Sequence, residues 1–473
     1  MHNFVLKDAN LCVVIDKSVL CRRLHFMMME SQPKKIGNYR WRIVALLFFA
    51  TSINYIDRNV LSFTMIDENF RKDMMGVEGP LTVADTARFK ELMGYIDSLS
   101  KLAYALGFIL VGWLIDKIGT KRGFTLSILV WSIAGVAHSF IGSVRGLAFA
   151  RFALLFGEAG NFPSSIKSVA EWFPRKERSF ATGVFNAGSN VGIICTALLV
   201  PYIALHYGWR TSFFVTGALG LILVAFWWLT YNRPEEHPKV GQEELAYIRE
   251  GEEVDAVTPK KLSWGKLLGY RQTWAFAMAK FTADPIWWFY LTWLPDFFNS
   301  NEALDQNLDL KNIGLPFLII YLVSDGGSVF FGWLATYLMK RGWSVNKARK
   351  TTMLLCALCV VPIFFASITH SIYVAIALIS LAAAAHQGWS ANCFTLVSDM
   401  FPKHTVASVT GIGGVFGSVG GMILAASAGV IRVKFGYLPL FLIASSAYLT
   451  GLLLVQLLAP RLDPISKTAA ETI

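Results

Sequence analysis

Twelve windows of about twenty mostly apolar residues run through this chain of 473, and they leave one kind of fold open. They fall at 43–65, 94–115, 124–143, 147–170, 181–205 and 212–231, then at 274–298, 313–339, 352–369, 373–400, 406–430 and 438–458. Windows of this length cross the roughly 30 Å hydrocarbon core of a bilayer as helices. A helix pairs its backbone N–H and C=O groups within one segment, which hydrocarbon requires. Composition agrees: 54% of residues are hydrophobic and 16% charged, against about 25% charged in an average soluble domain. The chain is expected to be an all-α membrane protein of 12 transmembrane helices, spans 1 to 12 in chain order.

The formal net charge of +11 is spread over short loops rather than gathered on one face, which argues against a nucleic-acid partner. Basic residues sit before span 1 (Lys34, Lys35, Arg40, Arg42) and after span 2 (Lys117, Lys121, Arg122) and span 4 (Arg175, Lys176, Arg178). They recur after span 6 (Arg233, Lys239, Lys260, Lys261, Lys266, Arg271) and span 8 (Lys340, Arg341, Lys347, Arg349, Lys350). These loops share one side. The opposite side holds acids such as Asp296, Glu302, Asp305 and Asp309. Basic loops stay in the cytoplasm, so both termini are expected there.

Residues 1–40 read as a cytoplasmic leader. The first 26 mix apolar pieces with Lys7, Asp8, Asp16, Lys17, Arg22 and Arg23, which is not a signal-peptide layout. Translation is expected to begin at Met27, Met28 or Met29, with the first 26 residues as upstream sequence. The six cysteines are scattered, and Cys356 and Cys359 read as two small residues on one helix rather than a redox or metal pair.

The second half of the chain repeats the first. Gly94 and Gly112-Trp113-Leu114 recur as Gly314 and Gly332-Trp333-Leu334. Phe173-Pro174, Gly183 and Gly192 recur as Phe401-Pro402, Gly411 and Gly420. Each set keeps its spacing, so residues 41–231 and 272–460 are expected to form two pseudo-symmetric six-helix bundles. A polar linker at 232–271, carrying a short surface helix, joins them, and 461–473 form a tail. Such halves alternate access by rocking about a midplane site.

Gly112-Trp-Leu-Ile-Asp116-Lys117-Ile-Gly119-Thr-Lys121-Arg122 resembles the loop 2–3 signature of the major facilitator superfamily. Asp116 suits a cap or a pairing across the two halves when one gate is shut. The mirror position in the second half carries Thr336 instead of an acid. Arg151-Phe-Ala-Leu-Leu-Phe-Gly157-Glu158-Ala-Gly-Asn161-Phe162-Pro163, with Glu171-Trp172-Phe173-Pro174 and Asn54-Tyr55-Ile56-Asp57-Arg58, resembles the anion:cation symporter family. Span 7, from Lys280 through Asp284-Pro285 to Trp287-Trp288-Phe289-Tyr290, is similar to that of bacterial hexuronate (glucuronate and galacturonate) transporters. The resemblance covers about 41–458. It implies the major facilitator fold, a bacterial inner membrane, and proton-coupled import of a small sugar acid. A carrier of an aldonate, tartrate or small dicarboxylate stands as the alternative.

The residues support this chemistry on their own terms. Arg151 and Glu158 lie seven apart, about 20° from alignment on one helix face and about 10 Å apart in depth. Asp57 lies some 22 Å from the cytoplasmic end of span 1 by the same rise, which sets it and Arg58 near the depth of Arg151. Charges at such depth are costly and face a cavity or one another. The resemblance implies that Asp57 and Glu158 carry protons, that Arg58 takes the substrate carboxylate, and that Arg151 holds whichever acid is ionised. A static network joining spans 1 and 4 is the bland alternative.

Tyr104 either donates to a substrate hydroxyl or packs on span 11. Asn190 stands where related sugar-acid carriers have Gln, with Asn186 one turn earlier. Lys280 is a second anion anchor or a self-paired couple with Asp284. Pro285 is expected to break span 7 and free carbonyls. Asp325 is expected beside Lys280. His386 is a proton relay or a structural histidine, Gln387 and Asn392 suit a polyhydroxylated substrate, and Trp287, Trp288 and Tyr290 offer faces for a sugar. The glycines from Gly411 to Gly421 read as close-packing positions. The loops carry no nucleophile, metal cluster or acid pair, so neither an enzyme nor a cofactor is expected. A channel would need neither the buried acids nor the repeat. The expected partners are the lipid bilayer, a proton and a small anion, and the expected state is a monomer.

Overall fold

The computed structural model describes residues 37–65, 67–250, 264–300, 304–305 and 314–465. The expectations for residues 1–36, for the linker at 251–263, for Glu302 and Asp309, and for 466–473 lie outside that set. Among the described residues every regular element is helical.

In the first half, span 1 is Tyr39–Thr64, span 2 Val83–Ile118 and span 3 Thr120–Ala137. Span 4 has two pieces, Val144–Glu158 and Asn161–Trp172; span 5 is Arg178–Tyr207 and span 6 Trp209–Thr230. In the second half, span 7 is Arg271–Ser300 and span 8 Gly314–Lys340. Span 9 is Val345–Val360, continued by a tighter turn at Val361–Ser367. Spans 10, 11 and 12 are Ile372–Met400, Val406–Phe435 and Leu438–Leu458.

Nine of these described helices are long and apolar enough to cross a membrane by length and composition. Spans 1, 4 and 7 fall short. They are the spans that carry Asp57 and Arg58, Arg151 and Glu158 with the break after it, and Lys280 with Asp284. Span 4 falls short in length, being broken into helices of 15 and 12 residues, while spans 1 and 7 carry their charges in mid-helix. Outward faces of the remaining spans carry exposed Leu205, Phe226, Leu229 and Leu453, as surfaces facing lipid do.

Two sequence expectations change here. Span 4 is interrupted at Ala159-Gly160 rather than continuous. Gly160 lies so close to Ser127 of span 3 that no side chain would fit. Span 7 runs unbroken through Pro285. Proline removes one rung of the helix ladder, but the freed region is held from outside: Gly420 of span 11 lies against the Phe281 carbonyl and the Pro285 ring.

The repeat is visible in the packing. Span 1 packs on span 5, span 2 on span 4 and span 3 on span 6; correspondingly, span 7 packs on span 11, span 8 on span 10 and span 9 on span 12. The halves meet along two seams, span 5 against span 8 and span 2 against span 11. In one seam Gly112 abuts the Ala407 carbonyl and Gly411 the Phe108 carbonyl. In the other Gly332 abuts the Ser179 carbonyl and Gly183 the Ser328 carbonyl. Each residue of one set is the repeat partner of its counterpart in the other. Missing side chains let the backbones touch.

The described part of the linker forms a short helix, Gln242–Ile248, followed after residue 263 by Trp264–Gly269. Glu244 accepts from the Arg40 backbone N–H at 3.1 Å and from its guanidinium at 3.4 Å. Glu177 accepts from Arg40 Nε at 3.2 Å and from the Tyr247 hydroxyl at 2.7 Å. Burial and the bond to Glu177 raise the Tyr247 phenol above its ordinary value. The linker helix is thereby fastened to the entry of span 1.

Candidate functional site

A cavity lies between the halves. Its outer part has a volume of about 690 Å³ and is walled by Tyr55, Arg58, Tyr104, Arg151, Trp287 and Trp288, among others. It reaches Phe63, Trp293 and Ala428, near the ends of spans 1, 7 and 11 that lie opposite Asp116. A smaller chamber of about 80 Å³ lies deeper, where Arg58, Asn186, Ser189, Lys280, Asp284 and Gln387 face one another across the halves.

Arg58 dominates the wall. Its guanidinium lies 4.9 Å from the Tyr55 ring and 4.6 Å from the Tyr104 ring. That placement directs Nε onto Glu158 Oε2 at 2.7 Å. Glu158 is fully buried and its second oxygen has no hydrogen-bond partner among the described residues. The guanidinium therefore occupies the acid that the sequence had given to Arg151. Arg151 lies two turns away on span 4, where it donates from Nη2 to the Arg58 carbonyl at 2.8 Å and acts on Glu158 and Asp57 through its charge rather than through an ion-pair contact. Its Nη1 is buried without a hydrogen-bond partner among the described residues.

Asp57 faces elsewhere. Adjacent residues of a helix diverge by about 100°, so Arg58 meets the cavity while Asp57 turns towards Gly135 of span 3. Asp57 is 2% exposed and has the Thr216 hydroxyl of span 6 beside it, and among the described residues no cation forms an ion pair with either carboxyl oxygen. A buried carboxyl with a hydroxyl but no cation for company calls for an explanation.

The opposite wall is weakly charged. Lys280 and Asp284 form an ion pair at 2.8 Å, and the Lys280 ammonium lies 4.2 Å over the Phe394 ring. Trp287 stacks on His386 with centroids 4.8 Å apart, and His386 Nδ1 lies 2.5 Å from the Tyr448 hydroxyl. That engagement anchors the imidazole between spans 7 and 12. Asn186 donates to the Gln387 amide oxygen at 2.7 Å and to the Ser328 hydroxyl at 3.2 Å.

Several candidates from the sequence do not reach the cavity. Asn190 is fully buried and donates to Asp325 at 2.8 Å. Asp325 therefore meets span 5, not Lys280, whose charge Asp284 already holds. Asn392 is fully buried, with its amide on the Phe331 and Gly388 carbonyls and its oxygen on the Ser179 hydroxyl. Tyr290 is 3% exposed and packs beside Phe289. One turn of helix separates these positions from Asn186 and Gln387, which do line the chamber.

The end opposite the cavity mouth is closed. Asp116 accepts from the backbone N–H of Ser408 at 2.7 Å and of Ala407 at 3.4 Å, capping span 11 from across the seam. Lys167 of span 4 pairs with it at 2.7 Å. Around it, Gly112 makes the close approach already described, and Lys117 lies 4.6 Å over the Trp113 ring. Gly119 takes a φ of +89°, which favours glycine. Lys121 donates to Asn232 at 2.8 Å, and Arg122 is exposed.

A second gate cluster was missed in the sequence. Asp399, at the end of span 10, pairs with Arg349 at 3.0 Å, both fully buried. Arg178 lies 3.8 Å from its other oxygen and reaches the Ser398 carbonyl, while Arg175 reaches the Asp399 carbonyl. The repeat carried the signal, because Phe401-Pro402 mirrors Phe173-Pro174 and makes Asp399 the counterpart of Glu171.

Two helical bundles around a charged central cavity, closed at one end, define a membrane carrier. The chain belongs to the major facilitator superfamily, whose model matches residues 47–425. It is 30% identical over 443 residues to the hexuronate transporter of Escherichia coli K12, spanning 93% of this chain and 98% of that protein. It is 31% identical over 416 residues to the probable galactarate/D-glucarate transporter of the same strain, spanning 83% and 88%. It is 29% identical over 353 residues to the galacturonate transporter of Dickeya chrysanthemi, spanning 74% and 97%. The fold matches the proton:xylose symporter XylE with a TM-score of 0.68, 14% identity and coverage of 88% of this chain and 94% of that one. It also matches the E. coli fucose:proton symporter with a TM-score of 0.67, 12% identity and coverage of 89% and 100%. The chain is a multi-pass transporter and not an enzyme.

Proposed function

We propose that this protein is a proton-coupled symporter that imports a small sugar acid, a hexuronate in the first place, across a bacterial inner membrane by alternating access. The basic loops lie in the cytoplasm with both termini, and residues 41–231 and 272–460 are the two moving bundles. The observation that carries this reading is the pair of buried acids around Arg58: Glu158 bound by it, and Asp57 one residue away with no ion-pair partner among the described residues. An ionised carboxyl left unpaired at this depth is costly, whereas a protonated one is tolerated. A substrate carboxylate entering the cavity competes with Glu158 for Arg58 as a forked partner. Glu158, released, then takes a proton, and Arg151 with its unpaired Nη1 is placed to receive whichever acid loses one.

Tyr104 and Gln387 line the same space and suit hydroxyl contacts. The presence of Lys280 on the facing wall favours a second reading, a diacid whose far carboxylate displaces Asp284.

Proteoliposomes with an imposed proton gradient test the reading. D57N and E158Q are expected to abolish accumulation while substrate exchange survives. Accumulation retained by both variants would overturn the coupling. R58K is expected to remove binding; if it shifts only the pH dependence, Arg58 belongs to the proton side. Thermal shift with glucuronate, galacturonate and galactarate ranks the ligands, since stabilisation follows RT ln(1+[L]/Kd).

A further inference from the structure

We infer that Asp325 is a third proton-carrying carboxyl, bound in this conformation, closed at the Asp116 end, as a neutral acid in a two-way hydrogen-bonded pair with Asn190. The inference rests on the symport reading above and extends it to the second half of the molecule.

Asp325 lies near the middle of span 8, eleven residues from Gly314 and fifteen from Lys340. Among the described residues its side-chain hydrogen bond comes from Asn190 Nδ2, at 2.8 Å. Asn190 Oδ1 is buried and has no partner among the described residues. The two forms of the acid treat that oxygen differently. A carboxylate only accepts, so it leaves the buried Oδ1 unsatisfied. A protonated carboxyl accepts from Nδ2 with one oxygen and donates from the other to Oδ1. The amide and the acid are then both complete.

Among the described residues no cation is paired with Asp325. Spans 5, 9 and 10 pack against span 8. Span 5 carries Arg178 and His206 near its two ends, with Cys195 between, and span 9 carries Lys347, Arg349 and Lys350 at its gate end, with Cys356 and Cys359 further along. Span 10 offers His386, engaged by Tyr448 and Trp287, and Asp399, held by Arg349. Lys280 of span 7 is held by Asp284.

The pair also spans the halves, since Asn190 belongs to span 5 and Asp325 to span 8. When the O–H bond breaks, the proton passes to water and the carboxylate keeps the bond from Nδ2. The return bond to Oδ1 is lost, and the seam loses one of its two ties at this level. Proton release thus favours parting of spans 5 and 8, the motion that rocking of the halves requires.

The test uses the purified full-length protein and two variants. Asp325→Asn keeps both bonds as an amide–amide pair, so the fold is retained. Infrared spectra without substrate are expected to show a protonated-carboxyl band that D325N lacks and that D57N and E158Q keep. Asn190→Leu is expected to move that band by removing its partner. In substrate exchange, the alkaline limb of the D325N profile is expected to move up by about one pH unit or more, a tenfold change in proton concentration. A spectrum unchanged by D325N, or a band unmoved by N190L, overturns the inference while leaving the symport reading intact. A wild-type protein that accumulates nothing on a proton gradient, with the Asp325 band present, sinks the symport reading instead.

Discussion

The two seams between the halves share a backbone and differ in chemistry. In both, a pair of glycines meets a pair of carbonyls at repeat-related positions. Along span 2 and span 11 the neighbours are apolar: Phe108 lies against Gly414, and the polar tie is Asp116 at the end. Along span 5 and span 8 the same positions hold hydroxyls and amides. Ser328 donates to the Gly183 carbonyl at 3.0 Å and accepts from Asn186 at 3.2 Å, and Asn190 meets Asp325; behind them span 10 adds Asn392 on Ser179 and Gln387 on Asn186. Dispersion contacts slide with little directional preference, whereas hydrogen bonds fix a register and must be exchanged when it changes. The difference suggests a hinge on one side and a ratchet of exchangeable bonds on the other. The gates differ too: Glu171 of the first half binds the hydroxyls of Thr120 and Tyr231, and Asp399 of the second binds guanidinium groups.

The strongest challenge to the shared backbone is a side chain at a glycine. G411L would drive into the Phe108 carbonyl, which cannot rotate away. Uptake is expected to fall roughly tenfold or more, since overpacking costs about 1–3 kcal/mol and here opposes closure itself. G183L meets the Ser328 carbonyl and should match it; a mild G183L beside a severe G411L would break the equivalence of the seams.

The gates come next. D399N leaves Arg349 buried without its counter-charge, and loss of one partner of a buried pair costs about 3–5 kcal/mol. D116N keeps oxygen for the span 11 cap but not the charge for Lys167, which is 3% exposed. Thermal denaturation in detergent is expected to rank D399N below D116N, and both below wild type. The reverse order would make Asp116 the main gate.

The smallest effect separates hinge from ratchet. S328A removes a hydroxyl that joins Gly183 and Asn186, worth about 1 kcal/mol. The exchange rate is expected to change several-fold with little change in melting temperature. No change in rate would mean that the hydroxyl seam slides as freely as the apolar one.

Much of this was legible in the chain. Apolar runs of bilayer length determined the helices, because hydrocarbon admits no other single-segment solution. The repeated glycine spacings announced the pseudo-symmetry seen in the packing, and the expensive charges at Asp57, Arg58, Arg151 and Glu158 pointed to the wall of the central cavity, which Arg58 and Arg151 line. What the sequence left open was partnership. Helical spacing places a residue on a face to within about a turn, and one turn separates Asn186 in the cavity from Asn190 in the seam. Only tertiary packing decided that Arg58 rather than Arg151 holds Glu158, that Asp57 turns towards Gly135, and that Asp325 meets Asn190. Those pairings join helices that are far apart in the chain, and one helix's periodicity carries no information about which neighbour its face will meet.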